Sequence, residues 1–98
     1  MALHIPTDIA QKIAQSNPGS LRTEEVKECF LTHAGKFCQD SRPEHSTASG
    51  LPTLWFVGET NHGRFLKIMF VRDGMDIYLK SAYPATDAVK RIFAKYAE

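Results

Sequence analysis

Cysteine, tryptophan and long apolar runs are all scarce in this 98-residue chain, which holds two cysteines and one tryptophan. Cys29 and Cys38 form neither a metal-type pair spacing nor a disulfide framework, so a reduced, cytoplasmic protein with both thiols free is expected. The longest apolar runs, Leu54–Val57 and Ile68–Val71, fall far short of the ~20 residues that cross a bilayer, so no membrane partner is expected. The first residues, Met1 to Asp8, lack a basic start followed by an apolar stretch and do not read as a signal peptide. Charge of one sign is lacking too. Twelve Lys+Arg against eleven Asp+Glu leave a net charge of +1, so a nucleic-acid site needs locally clustered charge. No HExxH, paired CxxC, GxGxxG or phosphate-loop pattern occurs, and the histidines are scattered, so no metal and no cofactor are expected.

What is present is ordinary globular composition, 43% hydrophobic with 23% charged residues. The length makes one domain over 1–98, with little room for a deep internal pocket. Ile9 and Ile13 at helical spacing, with Thr7 able to cap, predict a short helix ended by Asn17-Pro18-Gly19. A second helix starts at Thr23, with Glu24 and Glu25 at its positive end, and shows Val26, Cys29, Phe30 and His33 on one face up to Gly35. Residues 39–52 form a polar loop too long to be an idle connector.

Three strands follow: Thr53–Glu59, Arg64–Arg72 and Met75–Ala82. The middle one is apolar on both faces apart from Lys67, hence central, and Asp73-Gly74 marks the second hairpin. In the third, Ile77 and Leu79 point one way and Asp76, Tyr78 and Lys80 the other. Pro84 ends it, and Ala85, Ala88, Val89, Ile92, Phe93 and Tyr96 predict a final amphipathic helix. The fold class is therefore α+β: two N-terminal helices, a three- to four-stranded antiparallel sheet (Lys36–Gln39 can supply the fourth strand) and a C-terminal helix. The helices are expected on one face, leaving the other for work. Phe65, Ile68, Phe70, Ile77, Leu79, Val89, Ile92 and Phe93 are the expected core.

Two polar constellations carry chemistry. Tyr78 and Lys80 share a strand face, with Lys67 or Arg64 on the neighbouring strand; a phenol and cations on an exposed sheet suit a phosphodiester. The same pattern also arises on any solvated sheet face. Asp40, Arg42, Glu44 and His45 form the other cluster, in which a histidine beside a carboxylate is acid–base equipment. That loop can equally satisfy its own backbone. Trp55 reads as core rather than a base-stacking platform. Lys90, Arg91 and Lys95 read as a solvated helix face able to extend a nucleic-acid footprint.

From Trp55 onward the chain resembles the BrnT family of bacterial toxins, within the wider RelE/ParE-like ribonuclease group. Trp55-Phe56-Val57-Gly58-Glu59-Thr60-Asn61-His62-Gly63-Arg64-Phe65-Leu66 is close to the family hairpin G-(K/E)-T-x-x-G-R-x-L. Ile77-Tyr78-Leu79-Lys80-Ser81-Ala82-Tyr83 sits where the family has its basic strand I-R-I-I-S-A-R, with Tyr78 and Tyr83 at the two arginine positions and Lys80 a displaced positive charge. The resemblance covers about the second half of the chain. It implies a RelE/BrnT-like fold and a metal-independent endoribonuclease, the toxin of a toxin–antitoxin pair. Its partners would be RNA, including ribosome-associated mRNA, and a cognate antitoxin protein. Arg64 and Lys80 would hold the phosphate, Tyr78 or Tyr83 would position it or donate a proton, and His45 would be an acid or base. Asp40, Arg42 and Lys67 would assist binding. The alternatives are a non-catalytic RNA- or protein-binding module of the same fold, or a small hydrolase of the ADP-ribosyl-(dinitrogen reductase) hydrolase type.

Overall fold

The computed structural model describes residues 2–15, 21–32, 35–40 and 51–96. The antiparallel meander anticipated from the sequence forms β3 (Thr53–Glu59), β4 (Phe65–Asp73) and β5 (Asp76–Pro84), with β4 in the middle. Two short strands enlarge it. β2 (Cys38–Asp40) pairs antiparallel with β3, and β1 (Ala2–His4) pairs parallel with β5, giving the order β1-β5-β4-β3-β2. The chain is thus α+β with a mixed five-stranded sheet among the described residues, rather than a purely antiparallel sheet of three or four strands. A three-residue strand shows no periodicity to read, and β1 is held by register with β5 and by the Ala2 N–H donating to the Met75 carbonyl (2.9 Å).

Three helices complete the fold: α1 (Thr7–Ala14), α2 (Thr23–Thr32) and α3 (Asp87–Tyr96). Pro6, not Thr7, is the N-cap of α1, and no side chain caps it. At α2 the Glu25 carboxylate accepts from the Arg22 backbone N–H (3.3 Å), the returning half of a capping box. At α3 the Thr86 hydroxyl accepts from the Val89 N–H (3.2 Å). No helix among the described residues is long and apolar enough to cross a membrane.

α1 and α2 cover one face of the sheet. Ile13, Val26, Cys29 and Phe30 meet Phe56, Leu66, Ile68, Phe70, Ile77, Leu79 and Ala82 there in one core. α3 does not join them on that face as expected. Val89 and Phe93 pack against a second cluster of Cys38, Trp55 and Met69 with Val57 and Tyr83, on the opposite side of the sheet. No residue of this helix is fully buried: Val89 and Phe93 are partly covered and Ile92 is 46% exposed; Phe65, also expected in the core, is 40% exposed beneath the Lys90 ammonium.

Two turns follow local backbone rules. The β4–β5 hairpin turns at Gly74-Met75, where Gly74 has φ +61° and no described non-glycine residue has positive φ. This is the Gly-first type II′ arrangement, not the type I′ turn that Asp-Gly at both central positions would make. The β3–β4 turn closes with the Gly63 N–H on the Thr60 carbonyl (3.0 Å) and Gly63 at φ +78°.

Gly58 serves a different need. A Cβ built on it would lie 2.6 Å from Cys29 Cβ and 3.2 Å from Cys29 Cα, so its absence lets α2 lie directly on β3. Gly58→Ala is expected to cost about 1–3 kcal/mol, as overpacking of a tight contact does. Chemical denaturation checks it in a cycle with Cys29→Gly, which should relieve the clash, and Cys29→Ala, which keeps the Cβ and should not. Additive losses with Cys29→Gly would disprove the contact.

Candidate functional site

The β3–β4 hairpin is tied to α2 around its turn. Glu28 Oε1 accepts from the Asn61 N–H (2.9 Å), and the Thr32 hydroxyl donates to the Glu59 carbonyl (3.1 Å). The Thr60 hydroxyl accepts from the His62 and Arg64 N–H groups (3.3 and 3.2 Å). Arg64 Nη1 meets Glu25 Oε2 at 3.4 Å, and Arg22 Nε lies 3.8 Å from the other carboxylate oxygen. Glu25 is buried, and removing its cations would strand a desolvated charge. Gly58, Thr60, Gly63 and Arg64 therefore have structural work in this hairpin, and Arg64 points its charge at α2. The neighbouring Cys29 thiol is inert: burial, with Glu28 and Glu25 beside it, pushes its pKa up to about 12.

Lys67 and Tyr83 are brought together. They are register partners on β4 and β5, on the α3 side of the sheet. Only 8% of Lys67 is exposed, and its Nζ lies 4.7 Å from the Trp55 ring centroid and 5.5 Å from that of Tyr83. Among the described residues it has no ion pair, so the cation is held by ring faces, an arrangement worth ~0.5–2 kcal/mol.

That juxtaposition depends on an irregularity in β5. Met69 pairs with Ser81 but Phe70 pairs with Leu79, which leaves Lys80 as the extra residue of a β-bulge. Simple alternation would send Tyr83 into the core with Ile77 and Leu79. The bulge instead turns Ala82 inward and puts Tyr83 on the same face as Tyr78, whose partners Lys67 and Val71 share one side of β4. Lys80 is exposed, with no ion pair among the described residues.

At the other end of this face, Tyr78 is 38% exposed and stacks on the His4 imidazole, ring centroids 4.8 Å apart at 16°. His4 Nε2 lies 3.0 Å from Asp76 Oδ1, with both side chains nearly half exposed. An exposed pair of this kind contributes ~0–1 kcal/mol to stability. His4 was not a candidate from the sequence, because nothing in Ala-Leu-His announces that its strand will pair beside Tyr78. Asp40 lies in β2, where its backbone pairs with Thr53; Arg42 and His45 lie outside the described residues. A hollow of about 390 Å³ along Phe37, Cys38 and Leu54, and one of about 250 Å³ along Thr32, Val57 and Phe93, are lined by none of the candidate side chains among the described residues.

Compared with family models, curated proteins and solved structures, the chain matches none of them.

Proposed function

We propose that this chain is a metal-independent endoribonuclease of the RelE/BrnT-like kind, the cytoplasmic toxin of a toxin–antitoxin pair. The observation that supports this reading is the bulged β5, which carries an exposed Lys80 two residues from a partly exposed Tyr78. A cation and a phenol on an open face suit an extended phosphodiester, which needs a surface more than a pit. The chemistry is attack of the RNA 2′-OH on the adjacent phosphate: the 2′-O–P bond forms, the P–O5′ bond breaks, and a 2′,3′-cyclic phosphate and a 5′-OH result. Lys80 holds the developing phosphorane charge, and Tyr78 positions the substrate. Tyr83 supports this face by holding Lys67 beneath its ring, and His45 and Arg42 remain candidates from sequence that lie outside the described residues.

A second reading has an observation of its own. Arg64 is engaged with Glu25 and Lys67 lies under Trp55 and Tyr83, so two cations that would hold phosphate are used inside the fold. That favours a non-catalytic binding module.

RNA incubated with the protein in EDTA separates the two. The nuclease reading expects cyclic-phosphate ends and binding that weakens with salt, by about −0.7 in log–log slope per neutralised phosphate. A gel shift without cutting selects the binding module. Neither binding nor cutting at low salt would sink both.

A further inference from the structure

We infer that His4, oriented by Asp76 and stacked on Tyr78, is the general base of this site and takes the proton of the attacking 2′-hydroxyl. The inference rests on the ribonuclease reading and supplies the group it otherwise lacks among the described residues. Strand β1 brings it there: its parallel register sets His4 opposite Tyr78 and Ala2 opposite Asp76.

Elementary hydrogen-bond chemistry constrains the tautomer that can act as a base. Opposite an ionised carboxylate, which only accepts, a neutral imidazole at 3.0 Å donates Nε2–H to Asp76 Oδ1 and keeps its lone pair on Nδ1. Stacking on Tyr78 fixes the plane of the ring, and the half-exposed side chain keeps it open to a substrate lying along β5. Imidazole is the side-chain type that ordinarily gains and loses a proton between pH 5 and 8, and a carboxylate on its far nitrogen supports the imidazolium as it forms. Asp76 also faces Asp73 across the hairpin, where like charges oppose pairing, so hairpin stability does not account for a carboxylate there.

The step balances without another reagent than water. The 2′-hydroxyl proton passes to Nδ1 while its oxygen attacks phosphorus. The P–O5′ bond breaks, the departing oxygen takes a proton from water, and the imidazolium neutralises the hydroxide left behind. His4 is then ready again.

Cleavage in EDTA by the full chain tests this, with thermal unfolding and RNA binding measured on every variant. His4→Ala is expected to lose about 10²–10⁴ in rate, the usual range for a general base, with binding retained and melting lowered by no more than about 8 °C. Added imidazole should restore part of the rate, an effect that a structural role for His4 would not give. Asp76→Asn should lower kcat more than it changes KM. Retained rate in His4→Ala, or a loss that imidazole does not relieve, overturns the assignment; so does a rescuable loss in His45→Ala with His4→Ala unaffected. A wild type that does not cut RNA overturns the ribonuclease reading itself, and this inference with it.

Discussion

Phe70→Ala is expected to destabilise the protein by about 3–5 kcal/mol, the range for removing a fully buried ring. Phe70 is fully buried on the central strand, and its ring lies 5.4 Å from Phe30, 5.1 Å from Phe37 and 6.0 Å from Phe56. Its neighbours cannot close the gap. β4 is hydrogen-bonded on both sides, and α2 is held at its distance by Gly58 and by the bonds from Glu28 and Thr32 to the hairpin. Against a total of ~5–15 kcal/mol for a domain, such a loss leaves the variant near its unfolding threshold. At ~4–8 °C per kcal/mol it should lower the melting temperature by well over ten degrees. Ile92→Ala, on the exposed side of α3, should cost less than about 0.5 kcal/mol. Chemical denaturation of both variants decides it: equal losses would mean that the aromatic cluster is not the core.

The contrast between those two positions shows where a sequence speaks clearly. Ile77 and Leu79 lie in a strand whose alternation there has one reading, Ile68 and Phe70 in a strand whose continuous apolar run marks it as central, and all four are buried. Ile92 lies in a helix whose apolar stripe is wider than the surface it meets, and only packing selects Val89 and Phe93 from it. Element boundaries were legible where turn chemistry punctuates them, at Thr23, Thr53 and Gly74. The β-bulge was not. Nothing local marks Lys80 as an extra residue, since the irregularity is a property of the β4–β5 pair, yet it reverses the side on which Tyr83 emerges.

Long-range pairing hides the rest of the site in the same way. Arg64 reads as a free cation in the hairpin motif until Glu25, 39 residues earlier, is placed beside it. His4 reads as one histidine among scattered ones until β1 is laid along β5 and Asp76, 72 residues later in the chain, comes beside it. Residue type was legible in each case. The partner that decides what the residue does was not, because it is supplied by topology rather than spacing.

Lys80→Ala is expected to remove most RNA cleavage in EDTA, by about 10²–10³ in rate, the usual effect of deleting one electrostatic stabiliser from a preorganised site. A phosphorane forming on this face needs a cation that the fold does not already use, and Arg64 is turned toward Glu25 while Lys67 is held between two rings. Lys80 is exposed and without an ion pair among the described residues, and the bulge sets it out of the regular ladder. Being exposed, it should change stability by no more than ~0.5 kcal/mol when truncated, so a lost activity cannot be blamed on unfolding. Lys80→Arg should keep cleavage, since a guanidinium carries the same charge and offers phosphate a two-pronged contact. Tyr78→Phe should cost little if the ring only positions the substrate, and an amount comparable to Lys80→Ala if its hydroxyl moves a proton. Growth arrest on expression should follow cleavage across the four proteins. If Lys80→Ala cuts RNA like the wild type, the phosphate is held elsewhere; if the wild type neither cuts RNA nor slows growth, the toxin reading fails while the fold stands.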